Sequence, residues 1–504
     1  MTGKPVDPEA TGLRDPKPDD DFPPAGASIQ DPLLAHIKPG ADEEPSQEDL
    51  LKDRSRETDQ AATGGPAAGR SSIDEARRKG PLGLLQLLGP GLITGASDDD
   101  PSGIGTYSQV GSQFGYGLLW TALFTFPLMA AMQELCARIA LQTGVGLGTS
   151  LRRKFPTLLV GICILALFAA NTINVGADLG AVAAGGSMLT RGVLPEIWLV
   201  VPVALLILAL QFFATYASIF KIFKWLTLAL FAYVITGFIV HPSLGPLLYA
   251  SVVPHFSWKA DYITALVAIF GTTISPYLFF WQASSEVDEM RAAGNHTEAE
   301  RRGVKLSELR AARIDIFIGM LFSNLVMYFI IFTTAAVLHT HGKTSVQTAD
   351  QAAQALAPLA GPFAFVLFAA GMIGTGLLAI PILSGSAAYA VKEFFGLAGN
   401  LSNKARYRPT FYGVMLVATV AGVALNLLRI DPIRALFLTA VINGVIAPPL
   451  MALIVLLGSD RKVMAKRVSG TLSKSLTWIA TAVMGAAAIA LLITLIPGQG
   501  LIPK

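Results

Sequence analysis

From residue 81 onward the sequence is a succession of long apolar runs, and two of them are broken by residues that a membrane helix avoids. A helix needs about 20 mainly apolar residues to cross a bilayer. Eleven runs qualify, roughly 83–114, 117–141, 157–187, 194–214, 216–240, 260–293, 312–338, 362–390, 409–428, 432–457 and 474–496. The first contains Gly89-Pro90-Gly91 and then Asp98-Asp99-Asp100-Pro101-Ser102-Gly103. The sixth contains Gly271-Thr272-Thr273-Ile274-Ser275-Pro276-Tyr277. Proline removes a backbone donor and clashes with the preceding turn. Non-helical backbone at membrane depth survives only where it is buried in protein or lines a cavity.

The two prolines stand 175 residues apart, and each break opens a set of five runs, 1–5 and 6–10. A lone proline in a membrane helix is commonly a kink. Two matched breaks, one of them loaded with carboxylates, point to a secondary transporter with its site at midplane. The expected fold is therefore an all-α polytopic membrane protein of eleven transmembrane helices. It is a 5+5 inverted repeat with broken helices 1 and 6, of the amino-acid and metal transporter kind.

Charge divides the chain in two. Only 14% of the 504 residues are charged, against about 25% in soluble proteins. Residues 1–80 carry 11 Lys/Arg and 17 Asp/Glu, a net of −6, together with 10 of the 30 prolines. Subtraction from the totals of 38 and 35 leaves 27 and 18, a net of +9, over residues 81–504. Such an acidic, proline-rich segment buries too little apolar area to offset its ordering entropy. The expected division is a disordered acidic cytoplasmic tail, 1–80, and a transmembrane transport domain, 81–504. The tail lacks the basic start and apolar core of a signal peptide.

With the N-terminus inside, the inner segments hold Arg152, Arg153, Lys154, Arg301, Arg302, Arg310, Arg313, Arg461 and Arg467, among others. The outer segments hold only Arg191, Lys259, Lys343, Arg429 and Arg434. The positive-inside rule then places the chain in the cell (inner) membrane, multi-pass, with a cytoplasmic N-terminus. Cys136 and Cys163 lie in apolar stretches and read as buried thiols. Glu134 and Arg138 are spaced for an i,i+4 ion pair. Glu286, Asp288 and Glu289 read as a salt-bridge rim beside the basic loop 291–313.

Unwound carbonyls and a carboxylate in a low-dielectric cavity attract a cation, whereas an aspartate run repels a substrate carboxylate. A hard divalent ion takes oxygen ligands. Asp100, beside the first break, is the expected metal ligand. Asp98 and Asp99 point elsewhere on the segment, attracting cations or facing water. Ser275 offers either a hydroxyl or merely a small side chain. Tyr277 reads as a packing or gate residue more than a ligand.

These motifs together resemble the NRAMP family of divalent metal transporters over about residues 82–496. Gly89-Pro90-Gly91, eight residues and Asp100-Pro101 look like the family's first span, with Gln109 and Gly111 also matching. The stretch from Ala131 to Gly144 looks like its second span, Ala177-Asp178-Leu179 like its third, and Gly271 through Pro276 like its sixth. The resemblance implies import of Mn²⁺ or Fe²⁺, usually with protons. It assigns the metal to Asp100, to the Thr272 carbonyl and to Asn443, and aligns Gly103, Ser275 and Tyr277 with the remaining site positions.

Three departures matter. The family's asparagine ligand is Gly103 here, its Met-Pro-His is Ser275-Pro276-Tyr277, and its acidic proton-path residue is Ala181, with Asp178 retained. Loss of the thioether removes the preference for soft metals. A roomier all-oxygen site suits an ion that keeps part of its water, as Mg²⁺ does, and this resembles the family's magnesium-transporting branch. Without the histidine and that acidic residue the usual proton relay lacks two of its members, which opens the way to passive, potential-driven uptake. The reading is a secondary transporter of divalent cations (Mn²⁺ and/or Mg²⁺, with Fe²⁺) working by alternating access. Its partners are divalent metal ions and membrane lipids, with no nucleic acid and no resident cofactor. The alternatives are an ion-coupled carrier of small organic solutes on the same fold, and a non-transporting membrane receptor or scaffold acting through the tail. No nucleophile–base set, phosphate loop or His/Cys cluster supports an enzyme.

Overall fold

Apolar runs without strand periodicity should fold as helices, and the computed structural model is built of helices throughout its described residues. These are 89–213, 228–241, 244–346, 348–397, 409–428 and 430–494. The expected tail, 1–80, lies outside them, as do the start of the first run and much of the fifth. The main helices are α1 (Pro90–Asp98), α2 (Pro101–Phe114), α3 (Trp120–Thr143), α4 (Thr157–Leu189), α5 (Glu196–Phe213), α6 (Phe231–Ile239) and α7 (Ala260–Thr273). They continue as α8 (Pro276–Ala292), α9 (Leu306–Val337), α10 (Ala364–Phe395), α11 (Pro409–Asn426), α12 (Pro432–Ser459) and α13 (Thr471–Thr494).

Every one of the eleven expected runs contains helix. Eight spans among the described residues are long and apolar enough to cross a membrane, or nine if the pair Pro101–Leu118 and Trp120–Thr143, bent by 107°, is one span. The count falls short of eleven in the first and fifth runs, and much of the fifth lies outside the described residues. The first run is cut into short halves, and only the nine residues of α6 form an α-helix in the described part of the fifth. Large side chains such as Leu165, Leu205 and Phe213 are exposed, as lipid-facing positions are in a protein without water around its middle.

Both breaks have the same construction. α1 ends at Asp98, Asp99 and Asp100 leave helical geometry, and Pro101 starts α2. α7 ends at Thr273, Ile274 and Ser275 leave helical geometry, and Pro276 starts α8. Proline at the first position of a helix gives up a donor that has no intrahelical partner there.

Small residues let the half-helices approach their neighbours backbone to backbone. A Cβ on Gly95 of α1 would lie 2.2 Å from the Gly319 carbonyl oxygen of α9. A Cβ on Gly271 of α7 would lie 2.0 Å from the Ala440 carbonyl oxygen of α12. This is the small-residue packing by which membrane helices associate.

The Glu134–Arg138 pair forms as the spacing predicts, but it is part of a larger hub. Glu134 also accepts from Arg313 of α9 at 3.2 Å and from Ser473 of α13 at 3.2 Å. Glu134→Gln keeps an acceptor and removes the charge. It should cost about 1–2 kcal/mol, read as a lower melting temperature in detergent.

Arg291, at the start of the basic loop, pairs with Asp288 of the expected rim at 3.4 Å, and Glu298 within that loop pairs with an arginine from the connection before α4. Arg153 grips Glu298 with two bonds of 2.6 and 2.9 Å, and that guanidinium holds the Glu298 carboxyl below its ordinary range. Glu286 accepts from Gln282 on its own helix, and Asp288 accepts from Tyr389 of α10 and from Arg291. Cys136 and Cys163 are buried free thiols.

Candidate metal site

The break in α1–α2 and the break in α7–α8 meet. Asp100 is the N-cap of α2: its Oδ1 accepts from the Gly103 N–H at 2.8 Å and from the Ser102 hydroxyl at 2.6 Å. An anion there is favoured by the positive end of the helix. Its Oδ2 faces the Tyr277 hydroxyl of α8 at 3.3 Å. The same hydroxyl donates to the Ser97 carbonyl at 2.9 Å, so Tyr277 ties the end of α1 to the start of α8. The Ser102 and Thr272 hydroxyls lie 3.2 Å apart. A Cβ at Gly103 would stand 3.6 Å from the Thr272 hydroxyl and 3.2 Å from the Tyr107 ring.

Four of the six expected residues, Asp100, Gly103, Thr272 and Tyr277, therefore come together across the two breaks. Ser275 sits at the second break but turns back. Its hydroxyl donates to the Gly271 and Thr272 carbonyls at 2.9 and 2.8 Å. Those are the carbonyls the break leaves without a helical donor, so the side chain completes the end of α7. Asn443 is buried on α12 next to Gly444, which packs on Gly271, and neither of its polar atoms has a partner.

Asp98 and Asp99 do not face water. Both are buried, and the Ser323 hydroxyl of α9 lies 2.6 Å from Asp98 Oδ2 and 3.2 Å from Asp99 Oδ1. Sequence reasoning missed Ser323, a lone serine in an apolar span with no motif around it. Asp178 on α4 is fully buried, with both oxygens unpartnered. Pro101 and Val182, one turn beyond Asp178, both pack where Gly376 of α10 lacks a side chain.

Buried polar atoms normally find partners. Here the remaining oxygens of Asp98 and Asp99 at the first break, both of Asp178 on α4 and the amide of Asn443 on α12 are left over. Among the described residues no three His, Cys, Asp or Glu side chains converge on one point. A cation at the break would be met by the Asp100 carboxylate with hydroxyl, carbonyl and amide oxygens, a hard and weakly charged donor set.

A family model described as natural resistance-associated macrophage protein-like, Nramp, matches residues 91–494. A divalent metal cation transporter MntH of Xanthomonas campestris pv. campestris is 30% identical over 306 residues, 58% of this chain, and the match spans 65% of that protein's length. The protein of the same name from Bacillus subtilis is 25% identical over 412 residues, 80% of this chain and 91% of its own. In three dimensions the chain is similar to a crystal structure of the Eremococcus coleocola manganese transporter. The TM-score is 0.64 at 17% identity, covering 81% of this chain and 86% of that one. It is also similar to Mhp1, a nucleobase-cation-symport-1 family transporter, with a TM-score of 0.51 at 15% identity over 81% of this chain and 91% of that one. At these identities the likeness is one of fold.

Proposed function

The chain belongs to the Nramp family, and on that premise we propose that it carries divalent metal cations across the cell membrane by alternating access. The observation that carries this reading is the meeting of the two breaks, with Asp100 held by α2 and facing Tyr277, and Ser102 facing Thr272, across to the opposite half. The MntH relatives are named as divalent metal cation transporters.

The donor set favours a hard ion. Gly103 brings no side chain, Ser275 is spent on its own helix, and among the described residues the hydrogen-bond partners of Asp100 are oxygen and nitrogen. Thiolate and thioether ligands select softer metals; carboxylate, carbonyl and water suit Mg²⁺ and Mn²⁺. Mg²⁺ keeps several waters when it binds, and the unpartnered oxygens of Asp98, Asp99, Asp178 and Asn443 are acceptors for such a shell. We place Mg²⁺ beside Mn²⁺ as cargo, ahead of Fe²⁺.

The drive is the membrane potential. A divalent cation gains about 4.6 kcal/mol per 100 mV on moving to the negative side. The N-terminus lies on the cytoplasmic side, because the inner segments carry most of the Lys and Arg.

The test is uptake into proteoliposomes under an imposed potential, with Mn²⁺, Mg²⁺ or Ca²⁺ outside and a pH dye inside. Mg²⁺ should suppress Mn²⁺ uptake at concentrations within about tenfold of the Mn²⁺ present, one decade being about 1.4 kcal/mol of preference. Uptake should leave the internal pH unchanged. Absence of flux for every divalent ion ends the transport reading. Acidification in step with uptake ends the claim that potential alone drives it. Mn²⁺ uptake indifferent to a hundredfold excess of Mg²⁺ ends the hard-ion claim.

A further inference from the structure

α1 is held at three levels by one face of α9. At its start the N–H groups of Gly89, Gly91 and Leu92 donate to the Asp315 carboxylate at 2.9, 2.7 and 3.1 Å. In its middle Gly91 and Gly95 press on Ile316 and Gly319, backbone on backbone. At its end Asp98 and Asp99 accept from Ser323. Asp315, Gly319 and Ser323 recur every four residues and so form one stripe along α9.

α1 cannot supply this hold itself. It is nine residues long, its N-cap Gly89 has no side chain to cap with, and its first turn has no acid. Isolated helices this short are marginal. Its orphan N–H groups and the positive end of its dipole are met by a carboxylate from another span. On its other side the Thr94 hydroxyl reaches Gln282 of α8 at 2.6 Å. The ion site above α1 is sealed in this state: Asp100, Thr272, Tyr277 and Asn443 are each 1–2% exposed.

We propose that Asp315 is a positioning residue, a latch that docks the first half-helix on α9 and keeps the ion site closed on the side where α1 begins. Opening on that side requires the start of α1 to leave the Asp315 carboxylate. Asp315 touches no ion and acts through α1. The proposal uses the transport reading only for its consequence on flux. The docking of α1 is measured without any transported ion.

The test is the rate at which a maleimide reaches Thr94→Cys, a buried position on α1, in protein carrying Cys136→Ala and Cys163→Ala. Thr419→Cys, buried on α11 away from α1, serves as the second reporter. Asp315→Asn should raise labelling at position 94 about tenfold, the loss of charge-assisted bonds to three donors, and leave labelling at position 419 unchanged. Asp315→Glu keeps the charge on a longer arm and should fall between. A parallel rise at both reporters makes Asp315 merely structural and overturns the proposal. So does an unchanged rate at position 94 in whichever of the two variants folds. Should the unsubstituted protein move no divalent ion, the transport reading falls and the labelling result still stands.

Discussion

Asp100→Ala is expected to lower divalent-cation uptake at least about a hundredfold, equivalent to about 2.7 kcal/mol of lost stabilisation. Asp100 is the carboxylate that touches both broken spans, through Gly103 and Ser102 on one side and Tyr277 on the other. Without it an ion at the break meets only neutral oxygens from these residues, in surroundings of low dielectric where charge compensation counts most. The substitution also removes the cap of α2, worth about 1 kcal/mol. Asp100→Asn separates the two effects, because an amide oxygen can still cap while the charge is gone. Both variants should lose transport, and only the alanine should lose measurable thermal stability. Initial rates in proteoliposomes, matched for protein content, decide the matter. Retention of more than about a third of the flux in both variants would move the site away from the break.

Gly271→Ala should have the largest effect on the fold. A Cβ there would lie 2.0 Å from the Ala440 carbonyl oxygen and 2.3 Å from the Gly444 nitrogen. Both obstacles are backbone, and Gly444 is itself pressed against the Val267 carbonyl. No flexible side chain can yield, so α7 and α12 must separate. Overpacking of this kind costs about 1–3 kcal/mol and at times more. The break begins one residue after Thr273, so the displacement carries Thr272 away from Ser102 and uptake should fall with stability. Gly413→Ala on α11 is the control, because nothing lies within 4 Å of its Cβ. It should be neutral or slightly stabilising, since alanine is the better helix former. Equal melting temperatures for the two variants would show that the α7–α12 crossing is looser than these distances require.

Much of the site was legible because it violates local rules. Three aspartates and Pro101 inside an apolar run, and Pro276 inside another, have no place in an ordinary membrane helix, and each marks a real break. Asp100 as the candidate ligand was reachable from those breaks, whereas Thr272, Gly103 and Tyr277 entered as site positions through the family resemblance. Ser275 shows the limit: it sits at the second break, yet its hydroxyl serves the end of α7. A break frees backbone carbonyls and side chains at once, and composition does not say which will pair. Ser323 and Asp315 were not legible, being single polar residues on a different span with nothing distinctive beside them. The Glu134 hub was half legible. Its i,i+4 pair follows from helix geometry, while Arg313 and Ser473 arrive from spans far along the chain.

By itself the sequence determined the solvent and the places of rupture: apolar runs of membrane length, a charge asymmetry between their connections, and prolines that end helices at midplane. These are properties of one segment against lipid or water, and they need no partner. The tertiary structure alone decided which groups the ruptured ends satisfy. The start of α1 goes to Asp315, its carboxylates to Ser323, and Asp100 to its own helix and Tyr277. In a medium without water every freed polar group must be met by protein or by a bound ion. That choice is made where helices cross, and crossings are set by small residues such as Gly95, Gly271, Gly319 and Gly444, whose effect lies in what they let approach.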